Sequence, residues 1–277
     1  MHASNPLKCY LIIVIFLILS TELKGHEFWI EPESFIVKKD AEIKGNLRVG
    51  QMMKGTSYGY YPKNFKRFQL KKKNVLEPLQ GRLGDNPAIS APAQGDHLVT
   101  IIHETSNSVV HYDNWNKFDE FLKQKNLLSI KKMHLKNNFP KSQFKEIYSR
   151  YAKALIGSGS SLGNDIAVGL ETELVALSNP YVDDLSNGIV FELLYKGLPQ
   201  KNKQIEIFSR NNNGEVTKKK TLTNINGQAK VQVKRQTDYM INSVIMRTPN
   251  LSQVKSKNDN SLILWESLWA SITFRVP

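Results

Sequence analysis

The sequence contains a single cysteine, Cys9, which lies ahead of an apolar run from Tyr10 to Leu19. A lipoprotein signal needs its cysteine behind such a run. If residues 1–25 are removed as a leader, no thiol remains, which excludes a disulfide framework, a thiolate metal site and a cysteine nucleophile. Any metal must then be held by imidazole, carboxylate or backbone nitrogen. The zinc motif His-Glu-x-x-His is also missing, as are internal repeats and low-complexity tracts. Long hydrophobic stretches are scarce, since the Tyr10–Leu19 run is too short to span a bilayer comfortably. Acidic residues fall short of basic ones, leaving a formal net charge of +13. That excess permits anionic partners, yet only Lys71-Lys72-Lys73 and Lys218-Lys219-Lys220 form clusters. Both lie between strand-like segments and read as solvated loops or turns, so nucleic acid is not an expected partner.

Residues 1–25 read as a secretory signal peptide: a polar start with Lys8, the apolar core, and a polar stretch ending at Gly25. The expected location is the periplasm. Leu23 fits poorly three places before a cut at Gly25, so cleavage after Ser20, or retention as a membrane anchor, stays open. Cleavage after Gly25 makes His26 the N-terminus, where the α-amine and imidazole Nδ1 form a ready chelate. One further imidazole completes a three-nitrogen site suited to nickel, copper or zinc. The alternative is that His26 opens an edge strand, with Phe28 and Ile30 alternating into a core.

The remaining chain reads as mainly β: two β-sandwich, immunoglobulin-like parts with a two-helix segment between them. The expected divisions are an N-terminal β domain over 26–112, a helical segment and Gly/Ser connector over 113–163, and a C-terminal sandwich over 164–277. Leu98 to His103 is a β-branched run, and Gly81 to Pro87 is a loop by composition. Trp115, Phe118 and Leu122 predict a helix from Trp115 to Lys125, capped by Asp113 or Asn114. Phe144, Ile147, Tyr148, Tyr151, Ala152 and Leu155 form a stripe that predicts a second helix, with Ser142 as cap, Gly157 as stop and Glu146–Arg150 as an i,i+4 pair. Gly157 to Gly163 then reads as a connector. Strands are expected at Ile189–Tyr195, Ile205–Phe208, Gln228–Val233, Tyr239–Met246 and Leu264–Val276, with Asn226-Gly227 forming a hairpin turn.

Several segments together resemble a family of exported bacterial proteins of unknown function, often labelled as periplasmic proteins associated with nickel uptake. They are His26 to Pro32, Gly84 to Ala88, Tyr148 to Leu155, Glu171 to Tyr181 and Trp265 to Phe274. The resemblance implies export, transition-metal binding or delivery, and a C-terminal domain similar to the immunoglobulin-like domains found beside carboxypeptidases. One departure is visible: many relatives carry a histidine before the methionine of the penultimate strand, where this chain has Ile245 before Met246.

The metal set expected on these grounds is His26 with His103 and His134, since the last two fall in regions matching one branch of the family. Glu27, Glu31 and Asp85 are expected as acceptors that orient an imidazole. His97 and His111 are weaker partners, the first in a Gly95-Asp96 turn and the second near the first helix. The functional expectation is a non-enzymatic periplasmic protein that binds nickel or copper, with zinc as an option, and passes it to an inner-membrane transporter. A metal-free envelope interaction module and a copper-dependent oxidative enzyme are the alternatives. Gly159 to Gly163 spells Gly-x-Ser-x-Gly, but a nucleophile elbow follows a strand, and here a helix is expected to precede.

Overall fold

The computed structural model describes residues 26–73, 75–249 and 262–277; the expected leader, 1–25, lies outside them. Its two longest strands are Phe144–Ser158 and Leu262–Val276, each of 15 residues. They run parallel, with Phe144 opposite Leu262 and Ala154 opposite Thr273, and a bulge between Lys145 and Glu146. The first of these corrects the expected second helix, and with it the ground for setting Gly159 to Gly163 aside. A strand precedes that stretch, and it is the following element, the strand Thr172–Ala176, that does not fit a nucleophile elbow. A strand inside a parallel pair is covered on both faces, so its residues are apolar at nearly every position and mimic a helical stripe. Phe144, Ile147, Tyr151, Ala152 and Leu155 are all buried, but on both sides of a sheet. Glu146 and Arg150 take separate partners: Glu146 accepts from Tyr112 and Ser267, and Arg150 lies over the Tyr148 ring.

In chain order the first half supplies β1 (Glu27–Pro32), β2 (Ile36–Val37), β3 (Glu42–Gln51), β4 (Lys54–Tyr58), β5 (Phe65–Lys72), β6 (Val75–Pro78), β7 (Ile89–Pro92), β8 (Leu98–Thr105) and β9 (Ser108–Tyr112). Two helices follow, α1 (Trp115–Gln124) and α2 (Leu128–Lys136). Asn114 caps α1 by accepting from the Lys117 N–H at 3.2 Å; α2 was not anticipated from the sequence. The rest is β10 (Phe144–Ser158), β11 (Thr172–Ala176), β12 (Ile189–Tyr195), β13 (Leu198–Pro199), β14 (Gln204–Arg210), β15 (Val216–Leu222), β16 (Gln228–Val231), β17 (Thr237–Arg247) and β18 (Leu262–Val276).

These strands form three sheets. A ten-stranded sheet runs β15-β14-β17-β18-β10-β8-β5-β6, with β2 and β9 also paired to β10. It draws on both sides of the Gly157–Gly163 stretch. One smaller sheet, β1-β3-β4 with β7, encloses Phe28, Ile30, Ile43, Val99, Ile101, Ala152, Ala154 and Ile156 against it. The other, β11-β12-β13 with β16, encloses Leu155, Leu174, Phe191, Ile241, Ile272 and Phe274. The helices cover Phe144, Trp265 and Trp269. The architecture is mainly β and sandwich-like, with two helices. Near the end of β10 a Cβ at Gly157 would meet Ser161 Oγ at 2.3 Å, so the turn back of Ser161 onto the strand needs a residue without a side chain there.

Two further expectations are corrected. Lys71 and Lys72 belong to β5 and are buried, with Lys73 in the exposed turn that follows, and Lys218 to Lys220 lie within β15, where Lys219 and Lys220 are exposed, so both clusters are mainly strand and not loop. Asn226-Gly227 is a turn with Gly227 at φ 73°, but it joins strands of different sheets, because β15 pairs with β14 and β16 with β12. Asn224 Oδ1 holds it by accepting the N–H groups of Asn226 and Gln228.

The end of α1 is anchored by Lys125, which is buried. Its Nζ donates to Glu27 Oε1 of β1 at 2.9 Å and Glu206 Oε2 of β14 at 2.6 Å, and Lys218 reaches Glu206 at 2.6 Å. Removing one partner of a buried ionic cluster leaves the others uncompensated, at a cost of about 3–5 kcal/mol. Lys125→Met is therefore expected to lower unfolding free energy by about that amount in denaturant titrations, whereas Lys123→Met, on the exposed face of α1, leaves it within about 0.5 kcal/mol.

Candidate functional site

The three expected metal ligands lie in different surroundings. His26 precedes β1, partly exposed, and its carbonyl accepts from Arg150 Nη2 at 3.4 Å. His103, on β8, is buried between the rings of Phe28, Phe65 and Phe68 at centroid distances of 5.1, 5.5 and 4.8 Å. Burial pushes its imidazole down to about 3, so it is neutral at ordinary pH. His134, on α2, is fully enclosed and uses both ring nitrogens: Trp265 Nε1 donates to Nδ1 at 3.0 Å, and Nε2 donates to the Pro140 carbonyl at 3.0 Å. That pattern fixes the Nε2–H tautomer and leaves no lone pair for a metal. Among the described residues, no group of three or more His, Cys, Asp or Glu side chains could hold a metal ion.

The expected supporting carboxylates face cations. Glu27 pairs with Lys125. Glu31 binds Arg48 and Arg210, each at 2.7 Å. Asp85 pairs with Arg82 at 3.5 Å and accepts the Arg82 N–H at 2.7 Å. His97 is buried with neither ring nitrogen hydrogen-bonded, and His111 is exposed on β9. Ile245 is buried on β17 opposite Leu268.

Glu31 instead belongs to a cleft of about 460 Å³ between β1 and β3 on one side and β14, β17 and β18 on the other. Its floor is a chain of alternating charges. Arg48 Nε binds Glu31 at 2.7 Å, and Glu31 binds Arg210 Nη1 at 2.7 Å. Arg210 Nη2 binds Asp238 at 3.1 Å, and Asp238 binds Arg275 Nη1 at 2.6 Å. Arg275 Nη2 ends the chain on the Asn212 side-chain oxygen at 2.6 Å. Burial disfavours the Arg210 charge, but Glu31 and Asp238 outweigh it and hold the group above its ordinary range. These side chains are 15–29% exposed, so each keeps hydrogen-bonding capacity toward the opening. Glu33, Ser34 and Asn46 complete the polar rim. Sequence reasoning placed only Glu31 in a site. Arg210, Asp238 and Arg275 are far apart in the chain and share no motif; they meet because β14, β17 and β18 are neighbours.

A family model described as a domain of unknown function, DUF4198, matches residues 23–247. The chain belongs to this family. The DUF4198 match covers β1 to β17 and stops short of β18, although β18 is central to the large sheet. No curated protein matches the chain. Among solved structures, one match is a crystal structure of a tetra-tandem repeat in the extending region of a large adhesion protein, at 8% identity and a TM-score of 0.20. The alignment takes in 91% of this chain and 50% of that one, so this chain spans about half the length of that protein. At that score the likeness carries no argument.

Two buried groups, neither of them lining the cleft, give the protein a definite pH response. The Glu146 carboxyl is pushed up to about 7 by burial, against the hydrogen bonds from Ser267 and Tyr112 and the nearby Lys117 charge. The folded state holds that proton where the unfolded chain has released it, so stability is full below about pH 4.5 and falls as pH rises through about 7, by about 3 kcal/mol. His103 acts in the opposite sense. The unfolded chain takes up its proton below about pH 6.5 and the folded state only near 3, so stability falls as pH drops through that window. Glu146→Gln is expected to gain about 3 kcal/mol relative to the parent between pH 4 and pH 8 in urea titrations. His103→Leu is expected to flatten the parent's loss of stability below about pH 6.5.

Proposed function

We propose that the protein is a non-catalytic binding module of the cell envelope, and that the cleft of Arg48, Glu31, Arg210, Asp238 and Arg275 holds a polar, hydroxyl-rich ligand of the saccharide class. The observation that carries this reading is the alternation of guanidinium and carboxylate along the floor. Along the row each charge has a partner, and the Glu33 carboxylate on the rim stands outside it. The row offers closely spaced donors and acceptors. A sugar hydroxyl both donates and accepts, and a vicinal pair can bridge neighbouring forks of such a row. Export through residues 1–25 fits this role and belongs to the same proposal.

A second reading is binding of a transition metal, nickel or copper with zinc as an option, as cargo for an inner-membrane transporter. The environments of His103 and His134 do not fit it, because the first sits in a cage of phenyl rings and the second has both nitrogens engaged. It rests on His26, the one expected ligand with solvent access.

Calorimetric titration with hexuronate-containing oligosaccharides tests the first reading. Saturable binding should weaken at least about tenfold in Asn46→Ala or Arg275→Ala, equivalent to about 1.4 kcal/mol or more, with folding checked by circular dichroism. No binding across neutral and acidic oligosaccharides would reject it. Native mass spectrometry with added Ni²⁺ or Cu²⁺ tests the second: one bound ion, lost in His26→Ala, is the expected result, and a chain that stays metal-free would remove it.

A further inference from the structure

Lys153 lies mid-strand on β10, between the large sheet and the β11-β12-β13 sheet, and its side chain is 1% exposed. Its Nζ stands 2.7 Å from Asp165 Oδ1 and 2.8 Å from Oδ2. Glu173 Oε1 is 3.1 Å away on another side, and the Ile166 carbonyl is also at 3.1 Å. The Asp165 and Glu173 side chains are 0% and 1% exposed. Backbone N–H groups fix both carboxylates of this cluster. Glu173 is held in place by the backbone N–H groups of Val168, Gly169 and Leu170 at 2.8–3.2 Å. The Ala176 N–H donates to Asp165 Oδ2 at 3.0 Å. The residues two places to either side of Lys153 on β10, Tyr151 and Leu155, are buried, as are Leu170 and Leu174 on either side of Glu173 in the sequence.

We infer that this cluster forms an intramolecular isopeptide bond between Lys153 Nζ and Asp165 Cγ, with Glu173 as the proton-transfer group. One amine and two carboxyls share a space from which water is excluded. One ammonium faces two carboxylates; the buried Lys71 charge is also felt at Asp165 but is itself disfavoured by burial and by Lys153, and burial favours the protonated Asp165 carboxyl. A protonated carboxyl is the electrophile that an amine needs. Lys153 passes one ammonium proton to Glu173, and the free amine attacks Asp165 Cγ after the carboxyl turns its face about the Cβ–Cγ bond. The Ala176 N–H stands beside the oxygen on which negative charge develops. As the tetrahedral intermediate collapses, the C–N bond is retained and the C–OH bond breaks. Glu173 gives its proton to the departing hydroxyl and takes one from the nitrogen. One water leaves, an amide remains, and the surplus proton stays on Glu173, so the cluster begins and ends neutral. The reaction needs no oxidant or co-reactant. Proximity does most of the work, because the reacting groups are already within about 3 Å in a dry site.

The product ties the connector after β10 back to the middle of that strand, a position where an ordinary ion pair would have to be re-formed after each local opening. Intact mass spectrometry of the folded full chain, with its N-terminus assigned from its own peptide, reads the bond directly. The expected mass is below the sequence mass by one water molecule. Proteolysis is expected to release the Lys153 and Asp165 peptides joined to each other, with no tryptic cut at Lys153. Glu173→Gln and Lys153→Arg are each expected to restore the full sequence mass. A parent protein at full sequence mass would overturn the inference, as would a water loss that maps to any other pair of residues. Both readouts come from the parent protein, so failure of a variant to fold leaves the result decisive.

Discussion

The parallel pairing of β10 with β18 is the constraint from which the rest of the molecule follows. A parallel pair must be covered on both faces, because its backbone and side chains have no solvated side to turn outward. Here the cover comes from three places: the β1-β3-β4 sheet over one face, the β11-β12-β13 sheet over part of the other, and the two helices over Trp265 and Trp269. The polar residues of β18 are used as ties across the layers. Ser271 donates to the Phe28 carbonyl at 2.8 Å and Thr273 to the Ile30 carbonyl at 2.7 Å. The first strand of the described residues, β1, is thus laid against the last, β18.

The charged groups follow the same geometry. Where layers meet, the sequence places lysine and arginine among carboxylates and not apolar residues alone. Lys125 joins a helix end to two strands, Lys153 joins β10 to the connector before β11, and Arg210 joins β14 to β1. Buried ion pairs add little net stability over apolar packing, but breaking one is costly, so they specify which layer meets which. At the solvent edge of one junction the row is only partly enclosed, and that opening is the cleft proposed to bind ligand. In the dry interior of another, the same residue types stand close enough to react.

Much of the strand pattern is legible in the sequence. Ile189–Tyr195 is observed as expected, and the strand expected over Leu264–Val276 is observed as Leu262–Val276. The helix at Trp115 is legible because its cap and its one buried stripe agree. Phe144–Ser158 is misread because a strand buried on both faces has no polar side to set a period of two. α2 is missed because its sequence, Leu128–Lys136, buries little beyond Ile130 and His134 and carries only a weak stripe. The site is the least legible part. The histidines attract attention by residue type, yet His134 is a hydrogen-bonded core residue and His103 a packed ring. The cleft is assembled from Arg48, Arg210, Asp238 and Arg275, residues that strand order alone brings together.

The claim that one parallel pair organises both halves of the chain is tested most directly by native-state hydrogen exchange under increasing denaturant. The account predicts that the slowest amides lie in 147–155 and 268–274, and that β8 and β17, which flank the pair on its two sides, lose protection in the same step as the pair itself. Protection retained in β12 to β17 after it has been lost throughout β1 to β10 would show that the halves are held independently, and would contradict it.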